Sequence, residues 1–267
     1  MTDTLTFRVL GCGSSGGVPR LGGHWGDCDP DNPRNRRQRC SLLITRTSKT
    51  GQTSVLIDTS PDMRNQLLDA GVSSLDAVVY THAHADHVHG IDDLRMLVMN
   101  SRRQMQVWAD GDTTDALLGR FGYIFVQPKG SSYPPICELN TITGDTTING
   151  DGGPIILTPI KVAHGNIDAL GFRVANVAYM PDVSEIPAAA WAQLGGLDLW
   201  IVDALRRTPH PTHSHLDNTL AWIARSGTKA AILTNMHNDL DYATIDAETA
   251  DNIRPAYDGL EVDIDAP

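Results

Sequence analysis

Short apolar, β-branched runs recur along the chain and are bounded by Gly, Pro, Asn or Asp. They fall at 6–10, 41–45, 54–58, 77–81, 106–109, 155–163, 170–176, 197–203, 229–234 and 260–264. Runs of this length and composition read as strands. Between them, apolar residues at helical spacing predict helices over 63–70, 91–100, 113–121, 188–194 and 216–226. Pro61 and Pro187 precede two of these, as expected near helix starts. Strands mixed with helices predict sheets with helices packed outside them, an α/β class. No linker-like or repetitive tract divides the 267 residues, so one domain over 1–267 is expected.

Composition narrows the chemistry. The formal net charge of −11 disfavours a large phosphate-binding face, so extended nucleic acid is not the expected partner. One basic cluster stands out, Arg34, Arg36, Arg37 and Arg39 within "PRNRRQR", and is read either as a solvated loop or as a small phosphate pocket. The four cysteines contain no C-x-x-C pair and predict neither a disulfide framework nor an all-cysteine metal module. No basic n-region, no signal-like apolar segment and no run of 18 apolar residues is present, and a cytoplasmic, non-membrane protein is expected.

Two stretches carry candidate chemistry. Gly11, Gly13 and Gly16 in "VLGCGSSGG" spell the dinucleotide fingerprint, which requires a helix to open at the third glycine. "GVPRLGG" follows instead, and three further glycines and a proline do not propagate a helix, so no dinucleotide is expected. The second stretch, "THAHADHVHG", presents His82, His84, Asp86 and His87 after an apolar strand. Imidazoles and a carboxylate at H-x-H-x-D-H spacing suit zinc, manganese or iron, and four donors in six residues make two ions plausible.

With a preceding strand ending in Asp58, this motif resembles the metallo-β-lactamase-fold hydrolases. Later residues extend the resemblance in order: His164 in "VAHG", Asp182 in "AYMPD" and His237 in "AILTNMHNDLDY". The resemblance implies a four-layer αββα sandwich with two divalent ions, Mn2+ or Zn2+. His82, His84 and His164 would hold one, Asp86, His87 and His237 the other, and Asp182 would bridge them. It implies an outer-shell Asp58 that fixes a ligand imidazole, a catalytic part for Asp86, and hydrolysis by a hydroxide held on the two ions. The glycine loop would pass closely beneath the metal site.

"GCGSSGGVPRLGG" followed by "NPRNRRQRCSLL" is similar to the ribonuclease Z-like enzymes and, within them, the phosphoribosyl cyclic phosphodiesterases. That similarity implies a small phosphodiester substrate, with an RNA 3′-processing nuclease, a thioesterase or a lactonase as alternatives, and an inactive binding module as the non-enzyme reading. "HPTHSHLDNTL" resembles the subgroup's extra histidine motif, implying a catalytic His213, with His215 as the other choice. His210 and His24 are read as surface residues, and His89 as a helix-start or supporting one. "GGHWGDCDP" lacks the cysteines of a structural zinc site seen in some relatives, so none is expected. Asn235 stands where many relatives have histidine. The apolar stretch 94–99 either fills the core or reaches a partner, leaving a homodimer open.

Overall fold

The computed structural model describes residues 3–267. Its described residues resolve into two compact units, one of residues 3–10, 41–156 and 261–267, the other of 11–40 and 157–260. The strands form two mixed seven-stranded sheets.

The first sheet has the order β14-β1-β2-β3-β4-β5-β6. Its strands are β1 (Thr4–Gly11), β2 (Ser41–Thr47), β3 (Gln52–Ile57), β4 (Ala77–Val79), β5 (Met105–Ala109), β6 (Cys137–Thr141) and β14 (Glu261–Asp265). β14-β1 and β2-β3 pair antiparallel, whereas β3, β4, β5 and β6 run parallel. Ala77-Val78-Val79 is wholly buried, as an interior parallel strand covered on both faces must be. Helices α1 (Met63–Asp69), α3 (Leu94–Ser101) and α4 (Gly111–Phe125) contribute to the core of this unit through Leu67, Leu94, Leu97 and Leu117, alongside Leu56, Val78 and Val107 of the strands. The short α2 (Ala85–Val88) lies inside the histidine motif.

The second sheet runs β13-β12-β11-β10-β9-β8-β7. It comprises β7 (Thr146–Ile148), β8 (Ile155–His164), β9 (Ile167–Val174), β10 (Val177–Met180), β11 (Leu199–Asp203), β12 (Ala230–Thr234) and β13 (Ile253–Pro255). β8-β9-β10 is an antiparallel meander and β10 to β13 run parallel. Helices α5 (Leu216–Ser226) and α6 (Tyr242–Glu248) belong to this unit. Arg225 of α5 lays its guanidinium over Trp191, 3.8 Å from the ring centroid, and Trp191 meets the buried Trp200 of β11 edge-on.

The differences from expectation have local causes. The expected strand over 170–176 ends at Val174, because Ala175 turns at φ 51 between β9 and β10. Over 188–194 only a 3-10 turn forms, Ala190–Leu194, since Gly195-Gly196 ends the segment before a helix can propagate. Residues 91–100 split into a 3-10 turn, Ile91–Asp93, and α3, where Leu94 and Leu97 are buried while Met96 and Met99 stay exposed. The glycine loop opens no helix, the requirement a dinucleotide site would impose. No helix among the described residues is long and apolar enough to cross a membrane.

Candidate metal centre

In the first unit the site grows from the C-terminal ends of parallel strands, the usual place for function in open α/β sheets. Asp58 follows β3 directly, is fully buried and sits at φ 62, a left-handed conformation that Asp tolerates better than most residues. One carboxylate oxygen accepts the Thr81 backbone N–H at 2.8 Å. The other accepts the Thr81 hydroxyl at 2.7 Å and the His87 Nδ1–H at 2.7 Å. Burial pushes the Asp58 carboxyl up from its ordinary value, and His87 and the hydrogen bonds oppose that shift.

These contacts fix two tautomers. His87 gives its Nδ1 proton to Asp58, so Nε2 carries the lone pair. The Thr81 hydroxyl spends its one proton on Asp58, so at 3.0 Å it accepts from His82 Nδ1, and Nε2 is again the unprotonated nitrogen. The rings of His82 and His84 meet at 4.6 Å and those of His82 and His87 at 4.3 Å, with Asp86 Oδ2 3.6 Å from His87 Nε2. His82 and His84 each offer a ligand atom within 4.8 Å of the other. Arg120 of α4 donates to the Ala83 carbonyl between them. His89 ends α2 with its ring against Phe121.

The second unit repeats the design. His164 closes β8 and donates Nδ1–H to the Thr212 carbonyl at 2.6 Å, which leaves Nε2 3.4 Å from Asp182 Oδ2, beyond the end of β10. Asp203 ends β11, fully buried, and accepts His213 Nδ1–H at 3.0 Å and Val183 N–H at 3.1 Å. Burial drives its carboxyl upward, against the pull of His213. The His213 ring lies 4.6 Å from His164 and 5.2 Å from His210. His215 instead occupies the position before α5 and makes no side-chain capping bond. Asn235, just past β12 at φ 58, donates its amide to Asp182 at 3.1 Å and Asp203 at 3.3 Å.

His237 follows on the same strand end. The Arg20 guanidinium meets its Nε2; a guanidinium can only donate, so the ring proton is on Nδ1, 3.3 Å from Asp239 Oδ1. The glycine loop braces this segment: Gly13 bridges to Met236 and Arg39, and a Cβ on it would stand 2.9 Å from Arg37 Cβ. Within the arginine cluster, Arg37 is buried and donates to the carbonyls of His237 at 3.1 Å and Leu240 at 2.7 Å, with Cys28 Sγ 3.9 Å away. Arg34 stacks on Tyr242 and Tyr257. Arg37 is thereby engaged in anchoring this unit, whereas Arg34 is exposed.

The donor chemistry fits divalent metal ions. Buried imidazoles with Nδ1 committed to carboxylate, hydroxyl or carbonyl partners present Nε2 as metal-ligating histidines do. The hard carboxylates of Asp86 and Asp182 complete sets suited to zinc or manganese. Residues not anticipated from sequence are Thr81, Thr212, Asp203, Asp239 and Arg20. Asp203 alone left a clear signal, since "LWIVD" ends an apolar strand in a carboxylate as "SVLID" does.

Residues 53–236 match the family model described as "Beta-lactamase superfamily domain". A solved structure titled as a new diphosphatase from the PhnP family is 34% identical, with a TM-score of 0.85, covering 97% of each chain. An octanoyltransferase of Porphyromonas gingivalis is 33% identical over 96% of this chain and 51% of its own length. A ribonuclease Z of a Bradyrhizobium strain is 28% identical over 55% of this chain and 47% of its own. The chain thus spans about half the length of these two curated relatives.

Proposed function

We propose, for a chain that belongs to the β-lactamase superfamily and is a hydrolase of the metallo-β-lactamase fold, that it is a metal-dependent phosphodiesterase acting on a small, cyclic ribose phosphate-like substrate. His82, His84, Asp86, His87, His164, Asp182 and His237 would hold two divalent ions, and residues 1–267 act as one metallo-hydrolase domain. Bound ions of this kind supply an acidified water and neutralise charge on phosphoryl oxygens.

The chain's own groups account for the remaining steps. Asp58 keeps His87 and, through Thr81, His82 in the ligating tautomer. His213, doubly protonated with Nδ1–H held on Asp203, would give its Nε2 proton to the leaving oxygen and return as the neutral ring, a transfer a phosphodiester requires when its alkoxide departs. The observation that carries this reading is the His213–Asp203 pair beside His164, an acid supported by a buried carboxylate next to a proposed ligand. The diphosphatase and ribonuclease Z relatives, both named for phosphorus–oxygen cleavage, support the substrate class. The net charge of −11 favours a small diester over RNA.

The test is a panel: bis(p-nitrophenyl) phosphate, its monoester, an acyl thioester and a lactone, with manganese- or zinc-loaded protein. Diester turnover abolished by chelator is the expected result. Turnover of the thioester or lactone with no diester cleavage would replace this reading with carbonyl chemistry.

A further inference from the structure

We propose that Arg120 is a positioning residue: from a break in α4 it grips the main chain between His82 and His84 and so sets the direction in which His84 offers its ring. This rests on the metal reading of the histidine motif above. β4 stops at Val79 and α2 begins at Ala85, so residues 82–84 lie in neither strand nor helix. One set of holds on the motif comes from the turn after β3. Asp58 takes Thr81 and His87, Thr59 N–H donates to the His87 carbonyl at 2.8 Å, and Gly90 N–H donates to the Thr59 carbonyl at 2.9 Å. None of these bonds reaches residues 83–84, and His84 is exposed.

α4 supplies a second set. Asp110 caps its start through Thr113 N–H at 2.9 Å, and Leu117 and Ile124 are buried, so the helix is anchored on both sides of residues 118–123. Between Gly119 and Gly122, which weaken a helix interior, Phe121 leaves the helical region at φ −127 and ψ 26. Adjacent side chains of a regular helix diverge by about 100°. At this break two adjacent side chains meet one short segment at its two ends. Arg120 donates to the Ala83 carbonyl, before α2, and Phe121 meets the His89 ring edge-on, 5.7 Å between centroids, just after α2. The Tyr123 hydroxyl donates to Asp92 Oδ1 at 3.1 Å in the 3-10 turn that follows. Phe121 and Tyr123 thus support α2 and the turn beyond it, whereas Arg120 acts between the two histidines. The Ala83 carbonyl belongs to the peptide plane that enters His84, and a planar peptide passes its orientation to the next Cα. A guanidinium donor makes the hold charge-assisted, roughly twice as strong as a neutral hydrogen bond.

The test compares the full chain with R120M, which keeps an apolar stem, and R120K, which keeps a charged donor. In metal-free protein, hydrogen–deuterium exchange over residues 82–90 should rise about tenfold in R120M and return toward wild type in R120K, with β12 unchanged as the internal reference. Zinc affinity in chelator competition should fall about tenfold in R120M, and the visible bands of the cobalt-loaded protein should shift, with recovery of both in R120K. Unchanged exchange would overturn the assignment. Faster exchange with wild-type zinc affinity and cobalt bands would overturn it too, by reducing Arg120 to a tether of the loop. A wild-type chain that binds neither zinc nor cobalt would refute the metal reading itself, and the exchange comparison would then still decide whether Arg120 holds the segment.

Discussion

A single carboxylate, Asp58, organises the histidine motif, because its two oxygens take up the Thr81 amide, the Thr81 hydroxyl and the His87 ring. Replacing it by Asn keeps the volume but leaves one acceptor oxygen for three donors. Loss of such an outer partner costs on the order of 10–100-fold in metal affinity, so D58N should bind its ions that much more weakly in chelator competition. An unchanged affinity would show that His82 and His87 need no orienting partner. His213 answers a different question, since it acts on the leaving group. H213A should retain metal while losing roughly 100- to 10,000-fold in diester turnover, the usual worth of a general acid. A retained rate would remove His213 from the mechanism.

At the scale of elements, the site is a product of strand ends. Asp58 follows β3 and Asn235 follows β12, and both turn the chain in the left-handed region at closely similar φ, 62 and 58. In each case a buried parallel strand stops, the backbone reverses, and a polar side chain turns to orient neighbours. Gly90 shows how tightly such ends are packed: a Cβ there would lie 2.1 Å from the Ser60 carbonyl oxygen. G90A must push the Thr59–Ser60 turn outward, and a thermal melt should record a loss of about 1–3 kcal/mol, the range for overpacking a filled site. A melt like that of wild type would mean the turn yields freely.

Most strands were legible because apolar β-branched runs bounded by turn residues admit few other readings. α6 was not, although Asp241 caps it through Thr244 N–H at 2.9 Å, because seven residues give too short a period to recognise. His82, His84, Asp86 and His87 were legible as ligand candidates from spacing, and His164, Asp182 and His237 from the family resemblance. Thr81, Thr212 and Asp239 were not, since a hydroxyl, a main-chain carbonyl and an exposed-looking acid carry no pattern of their own. Arg20 was hidden by the denser arginine run nearby.

For the whole molecule, pH enters through a buried acid of the second unit. Asp258 accepts Gln38 N–H at 2.7 Å and Cys12 N–H at 3.1 Å, and burial pushes its carboxyl up to about 7. The fold therefore holds this proton more tightly than the unfolded chain, where the value is near 3.8. Its contribution to stability is fully present below that lower value and is lost as pH rises through about 7. Urea unfolding across that window should show stability falling with pH, and D258N should flatten the fall. An equal slope in D258N would assign the dependence to other groups.

The seven histidine and aspartate donors are proposed to hold two divalent ions on which turnover depends. The direct measurement is metal content by mass spectrometry beside bis(p-nitrophenyl) phosphate turnover, for wild type and D182N. Wild type should carry two manganese or zinc ions per chain, and D182N should lose nearly all bound metal and turnover. A wild-type chain that turns over diester while holding no metal, or a D182N variant that keeps both ions and full rate, would contradict it.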